Sequence, residues 1–160
     1  SNDAGIATGG GASARVFHSS DRGKTWRASS TPIPAGAPAR GVFSVAFLNS
    51  RGGSAAGGDY KETRMAGING AHTGDGGATW TPVEVAPAGY MSVVVPVPGA
   101  QRALVAAGLA GSGYSTDGGR NWTALDTTPM NTVGFASPSQ GWAVGPKGLL
   151  MKYTGPKLNK

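Results

Sequence analysis

The residues best equipped for chemistry stand together in "GGDYKETR" at 57–64. There Asp59, Tyr60, Lys61, Glu62 and Arg64 put two carboxylates, a phenol, an amine and a guanidinium into one short run. Such a run can hold a polar ligand or move a proton if a scaffold converges its side chains, and connecting loops on rigid scaffolds are where such groups work. Three more carboxylates recur at Asp21, Asp75 and Asp117, while Glu62 and Glu84 are the only glutamates. His18 and His72 each lie just before one of the recurring aspartates. Their equivalent placement assigns them to architecture, and two histidines so spaced make no shared metal site. Zero cysteines exclude disulfides, thiol nucleophiles and thiolate ligands. The glycine clusters precede no helix pattern, so there is no phosphate cradle or dinucleotide fingerprint. No cofactor and no metal is expected.

The recurring aspartates belong to one octapeptide, written "SSDRGKTW" at 19–26, "TGDGGATW" at 73–80 and "STDGGRNW" at 115–122. A carboxylate placed at a turn accepts N–H bonds from its own turn, so Asp21, Asp75 and Asp117 are expected to pin hairpins. Gly23, Gly77 and Gly119 would supply positive φ without steric cost. Trp26, Trp80 and Trp122 would each bring a ring back beneath the turn, burying roughly 150–250 Å². Recurrence once per unit argues for staples and against three catalytic acids, which would lie far apart.

The elements that must position these groups read as strands. Among 160 residues, 28 glycines and 11 prolines punctuate short apolar runs, and helix-period patterning is hard to find. Four kinds of run follow one another. The first kind is "FSVAFLN" at 43–49, "MSVVVPV" at 91–97 and "NTVGFAS" at 131–137; the second is the Gly/Ala-rich "GIATGG" at 5–10, "GSAAGG" at 53–58, "ALVAAG" at 103–108 and "GWAVG" at 141–145. The third leads into the octapeptide, as in "ARVFHSS" at 14–20 and "AGINGAHTG" at 66–74, and ends with "LLMKYT" at 149–154; the fourth leaves it, as in "ATWTPVEV" at 78–85. Four short strands per unit of roughly 40–50 residues predict an all-β fold of β-propeller blades. The blade segments fall at about 1–30, 40–86, 88–127 and 129–155, with a basic tail at 156–160. In this order the first blade lacks its innermost strand and the last its outermost. The remaining blades are expected from upstream residues or, second, from another chain.

The octapeptides resemble the Asp-box, or BNR, repeat of sialidases, sortilin-type receptors and photosystem II assembly and stability factor-like propellers. The stretches "GVFSVAFLNSRGGSAAGGDY" at 41–60 and "GWAVGPKGLLMKYTG" at 141–155 are similar to the blade pattern of the last group. Gly74 and Asn121 replace commoner box residues, and "YTGPKLNK" carries no box. The resemblance implies a bacterial propeller of about seven blades, of which this chain looks like the C-terminal half. It also implies export to the periplasm or beyond.

The expected function is therefore a non-catalytic binding or assembly scaffold that presents an axial face to a protein or ligand. Asp59, Tyr60, Lys61 and Arg64 are the candidate contacts. The alternative is a sialidase-like glycoside hydrolase, for which the arginine cluster, the Tyr/Glu nucleophile pair and the acid/base Asp would come mostly from the missing half. A carbohydrate ligand fits either reading. The formal charge of +6 gathers at Arg15, Arg22, Lys24 and Arg27 and again at Lys147, Lys152, Lys157 and Lys160. Neither group is a continuous run, and neither comes with stacking aromatics or a recognition helix, so no nucleic-acid partner is expected. No run approaches the length of a transmembrane helix.

Overall fold

The computed structural model describes residues 3–84, 87 and 89–158; Val85, which closes the expected strand 78–85, and Lys160 of the basic tail lie outside the described residues. Four antiparallel sheets follow one another in chain order, and the described residues contain no α-helix. Sheet 1 is β1 (Ala4–Thr8), β2 (Arg15–Ser19) and β3 (Arg27–Ser30). Sheet 2 is β4 (Arg40–Phe47), β5 (Gly53–Asp59), β6 (Gly70–Thr73) and β7 (Thr81–Pro82). Sheet 3 is β8 (Val93–Pro96), β9 (Leu104–Gly108), β10 (Gly111–Ser115) and β11 (Thr123–Asp126). Sheet 4 is β12 (Thr132–Ser137), β13 (Gln140–Val144) and β14 (Leu150–Lys152). Each is a meander in which sequential strands pair. The two middle sheets have four strands and the outer two have three, as the order of runs predicts.

Several expected strands are shorter than their runs, most plainly those ahead of and after the second box. Residues 66–69 form loop ahead of β6, and β7 stops at Pro82, whose missing N–H suits an edge. The Val83 N–H still reaches the Gly70 carbonyl at 3.2 Å, and the Glu84 N–H already bonds the Arg120 carbonyl of sheet 3 at 2.9 Å. The chain has by then begun to cross to the next sheet.

The core lies between sheets. Val16 and Ala14 of sheet 1 pack with Val42, Ala55, Ala71 and Trp80 of sheet 2. Ala46 and Ala56 of sheet 2 pack with Val94, Leu104, Ala106 and Trp122 of sheet 3. Val105 of sheet 3 and Leu158 share a cluster against which Val133 and Phe135 of sheet 4 pack. Alternation along each strand sends one face to the preceding sheet and the next face to the following one. The Gly/Ala-rich second strands follow from this close layering: a Cβ added to Gly57 would collide with the Gly41 carbonyl oxygen, and one on Gly108 with that of Tyr90.

One expectation is corrected. Trp80 and Trp122 are 8% and 6% exposed, but Trp26 is 41% exposed. Trp80 and Trp122 pack on the sheet before their own, and no sheet among the described residues precedes sheet 1 to receive Trp26. Ile6 is exposed on the same sheet. At the other end, Trp142, Val144 and Leu150 of sheet 4 stand open.

Candidate functional site

Each box is a closed hydrogen-bond circuit. In the first, the Ser19 hydroxyl donates to Asp21 Oδ1 at 2.8 Å and accepts the Gly23 N–H at 2.7 Å. Asp21 Oδ1 then accepts the Thr25 N–H at 2.9 Å and Oδ2 accepts the Thr25 hydroxyl at 2.7 Å. Thr73, Asp75, Gly77 and Thr79 repeat the pattern. So do Ser115, Asp117, Gly119 and Asn121, whose side-chain amide replaces the threonine hydroxyl at 2.9 Å from Asp117 Oδ2. Gly23, Gly77 and Gly119 take φ of 82°, 82° and 88°. Bonds from Thr25 and Ser19 hold the Asp21 carboxyl down at about 2, and Thr79 and Thr73 do the same for Asp75. Carboxylates so engaged accept three or more bonds within their own turns, which fits a staple better than an acid, base or metal role. The leading Ser19, Thr73 and Ser115, for which spacing alone suggests no role, are buried and close the circuit by bonding both the Asp and the Gly N–H.

The chemistry-bearing loop joins β5 to β6, at the end of sheet 2 opposite its box turn. Asp59, expected on a solvated loop, is instead the last residue of β5 and buried. It faces Arg40 across the β4–β5 ladder and accepts that guanidinium's Nε–H at 2.9 Å on Oδ2. Its Oδ1 accepts the N–H groups of Lys61 at 2.9 Å and Glu62 at 3.3 Å. The Arg40 bond, followed by the Lys61 N–H, lowers its pKa. Asp59 therefore anchors the loop and is not a free contact. Tyr60, Lys61, Glu62 and Arg64 project from it, all exposed.

Beside the loop a register shift between Val42 and Ser44 leaves Phe43 out of the ladder and turned outward. Phe43 meets Tyr60 edge to face at 5.9 Å and Tyr90 at 5.1 Å. Burial raises the Tyr90 hydroxyl's pKa. Asn69 closes the loop's far end, its amide donating to the Pro87 carbonyl at 2.6 Å and also to that of Gly89. Met65 and Ile68 complete an apolar margin. The hollow between Arg40, Asp59, Ile68 and Tyr90 holds only about 40 Å³. That is far below the roughly 300–1,000 Å³ of small-molecule pockets, but an open hollow of about 340 Å³ lies on the loop's other flank, lined by Arg64, Met65, Asn69, Pro87 and Gly89.

His18 and His72 occupy matching places in β2 and β6. The His18 ring packs on Phe47 at 5.1 Å with its Nε2 3.4 Å from Asp3, and burial, followed by Arg120, lowers the His72 pKa. Among the described residues no group of three or more His, Cys, Asp or Glu is placed to hold a metal ion.

No family model matches the chain, and no curated protein matches it. Solved structures do. YCF48 bound to a D1 peptide is 19% identical with a TM-score of 0.53, over 89% of this chain and 49% of that one. A GH74 enzyme from Niastella koreensis is 15% identical with a TM-score of 0.52, over 94% of this chain and 28% of the other. An ancestral GH74 enzyme is 14% identical at 0.53, over 97% and 26%. The fold is that of a β-propeller segment. It spans about half the length of the first of these proteins and about a quarter of the other two. At such identities the likeness is one of fold, and the propeller segment's activity must be argued from its own residues.

Proposed function

We propose that this propeller segment is a non-catalytic binding scaffold, and that the surface on its β5–β6 loop holds an extended stretch of a partner protein. One observation carries the reading: Tyr60, Lys61 and Arg64 stand outward, Tyr60 against the exposed Phe43, on a loop whose root is fixed by the buried Asp59 and its partly exposed partner Arg40. A rigid base with aromatic and cationic groups and hollows that are small or open to solvent suits a peptide laid across it, with an apolar side chain on the rings and a carboxylate near Lys61 and Arg64. The structure of YCF48 with a D1 peptide lends support, as a propeller of this fold with a peptide bound. The open faces at Trp26 and Leu150 would be covered by further blades from outside residues 1–160. A hydrolase reading would have to pair Glu62 or Glu84 with a carboxylate from there, because Asp21, Asp59, Asp75 and Asp117 are all committed to internal bonds.

The test is fluorescence anisotropy with a panel of unstructured peptides varied in aromatic and acidic content. Peptides combining both should bind, and Tyr60→Ala or the double change Lys61→Ala/Arg64→Ala should weaken binding about tenfold or more, near 1.4 kcal/mol, with the melting temperature unchanged. Equal binding by folded variants would sink the assignment. Sugar release from a polysaccharide panel would favour the hydrolase.

A further inference from the structure

The main chain of the β5–β6 surface is already taken up. The N–H groups of Lys61 and Glu62 go to Asp59, that of Tyr60 to the Ala39 carbonyl at 3.2 Å and that of Met65 to the Glu62 carbonyl at 2.9 Å. The Thr63 carbonyl accepts the Tyr90 N–H at 2.8 Å, and the Asn69 carbonyl accepts that of Gly57 at 2.9 Å. Nor is β4 an open edge here, since Gly9 bridges to Gly41 and the Gly10 N–H reaches the Arg40 carbonyl at 2.8 Å. A stretch of partner laid on this surface finds no ladder to extend.

What the surface does offer is donors. Arg40 bonds Asp59 through Nε, and with its side chain 38% exposed its terminal guanidinium nitrogens are left to donate. Burial, followed by the neighbouring Tyr60, raises the Tyr90 pKa, so that hydroxyl keeps its proton. The exposed Tyr60, Lys61 and Arg64 add a hydroxyl, an ammonium and a guanidinium. Against these, Asp59 is occupied by three bonds of its own, which leaves Glu62 as the one exposed carboxylate between residues 59 and 69. The apolar part is a corner: the rings of Phe43 and Tyr60, both exposed, meet at 84°, with the buried Tyr90 against Phe43. Tyr90 also lines the small hollow beside Arg40 and Ile68.

An α-helix keeps its carbonyls for its own bonds, and a β-strand needs a ladder partner. A polyproline II helix has no internal hydrogen bonds and holds its carbonyls outward. We propose that the partner's stretch lies on this surface as a proline-rich polyproline II helix, with carbonyls accepting from Arg40, Tyr60 and Tyr90, a ring in the Phe43–Tyr60 corner, and acidic residues toward Lys61 and Arg64. This rests on the peptide-binding reading above and names the conformation and composition of the peptide. Proline fits on two counts, because its ring packs on aromatic faces and it lacks the N–H for which this surface holds almost no acceptor. With three residues per turn, prolines three apart face the same side. One enters the corner and the next lies over the hollow beside Tyr90.

The experiment uses three peptides alike in their acidic and aromatic residues, whose remaining positions carry proline, valine or alanine, so that the backbone favours polyproline II, strand or helix. Fluorescence anisotropy with the 160-residue chain should show the proline peptide binding about tenfold more tightly or better, since its backbone is already ordered. In a second series, with two prolines spaced two, three or four apart, three should bind best. Tyr60→Phe, which removes only a hydroxyl, should weaken the proline peptide severalfold and leave the melting temperature unchanged. Equal or tighter binding of the valine or alanine peptide, indifference to proline spacing, or full affinity in Tyr60→Phe would overturn the inference and leave the peptide-binding function standing. Failure of every peptide to bind would remove that function, and this inference with it.

Discussion

The indole N–H of Trp80 in sheet 2 donates to Ser29 Oγ on the outer strand of sheet 1 at 3.2 Å, and that same hydroxyl donates to the Gly77 carbonyl at 2.5 Å. A serine of one blade thereby closes both the ring contact and the box turn of the next. The box is a local motif in sequence, but part of its stabilisation comes from the neighbouring sheet.

Trp80→Ala and Trp26→Ala should therefore differ widely. Emptying the Trp80 position should cost about 3–5 kcal/mol. Removing the exposed Trp26 should cost under about 1 kcal/mol. Urea unfolding of both variants of the 160-residue chain checks this. Matching losses would show that the ring contributes within its own turn and not across the gap.

Ser115→Ala should lower stability by about 1–3 kcal/mol, since it leaves the Gly119 N–H buried without its acceptor. The melting temperature would fall by a few degrees to about 10 °C. Ser115→Thr should restore it, because Thr73 makes the same bonds in sheet 2. A neutral Ser115→Ala would remove the hydroxyl from the circuit.

Acid should unfold the chain through the same groups. Asp21 and Asp75 titrate near 3.8 when free and at about 2 in the fold, so the unfolded chain takes up their protons first. Their stabilisation is complete above about pH 5 and is lost as pH falls toward 2. His72, whose pKa burial lowers from 6.5, adds a loss of the same sign as pH falls through the range of a free histidine. Melting temperatures between pH 7 and 2 should decline, with a shallower acid limb in Asp75→Asn. A level profile below pH 5 would contradict the circuit.

Asp59→Ala should lower the melting temperature by a few degrees, because it strips Arg40 of its partner and frees two loop N–H groups. Tyr60→Ala should leave it within a degree or so. The reverse order, read by differential scanning calorimetry, would mean that the loop is held by its aromatic contacts.

The four-sheet architecture was legible because the four kinds of run recur in one fixed order along the chain, and period-2 alternation in "FSVAFLN" is a local signal. Asn121 shows the box surviving a substitution that looks like a departure, since an amide satisfies the same carboxylate oxygen as a threonine hydroxyl. What stayed hidden depends on partners far along the chain. Trp26 and Trp80 sit in equivalent motifs and differ only in whether a sheet lies behind them. Asp59 read as loop because its partner, Arg40, faces it only once the β4–β5 ladder is extended to its last pair. Carrying the strand pairing outward from Phe47 and Gly53 without the register shift at Phe43 sets Asp59 against Gly41 instead, so the contact depends on a bulge that no local pattern marks.

The layered core also sets how the molecule comes apart. Every sheet is supported only by its immediate neighbours, so the energetics are those of a one-dimensional stack with nearest-neighbour coupling. Sheets 2 and 3 are coupled on both sides and sheets 1 and 4 on one. Opening fluctuations should begin at the flanks and advance inward, and amide hydrogen exchange would register them as a gradient, slowest in β5 and β9 and fastest in β3 and β14.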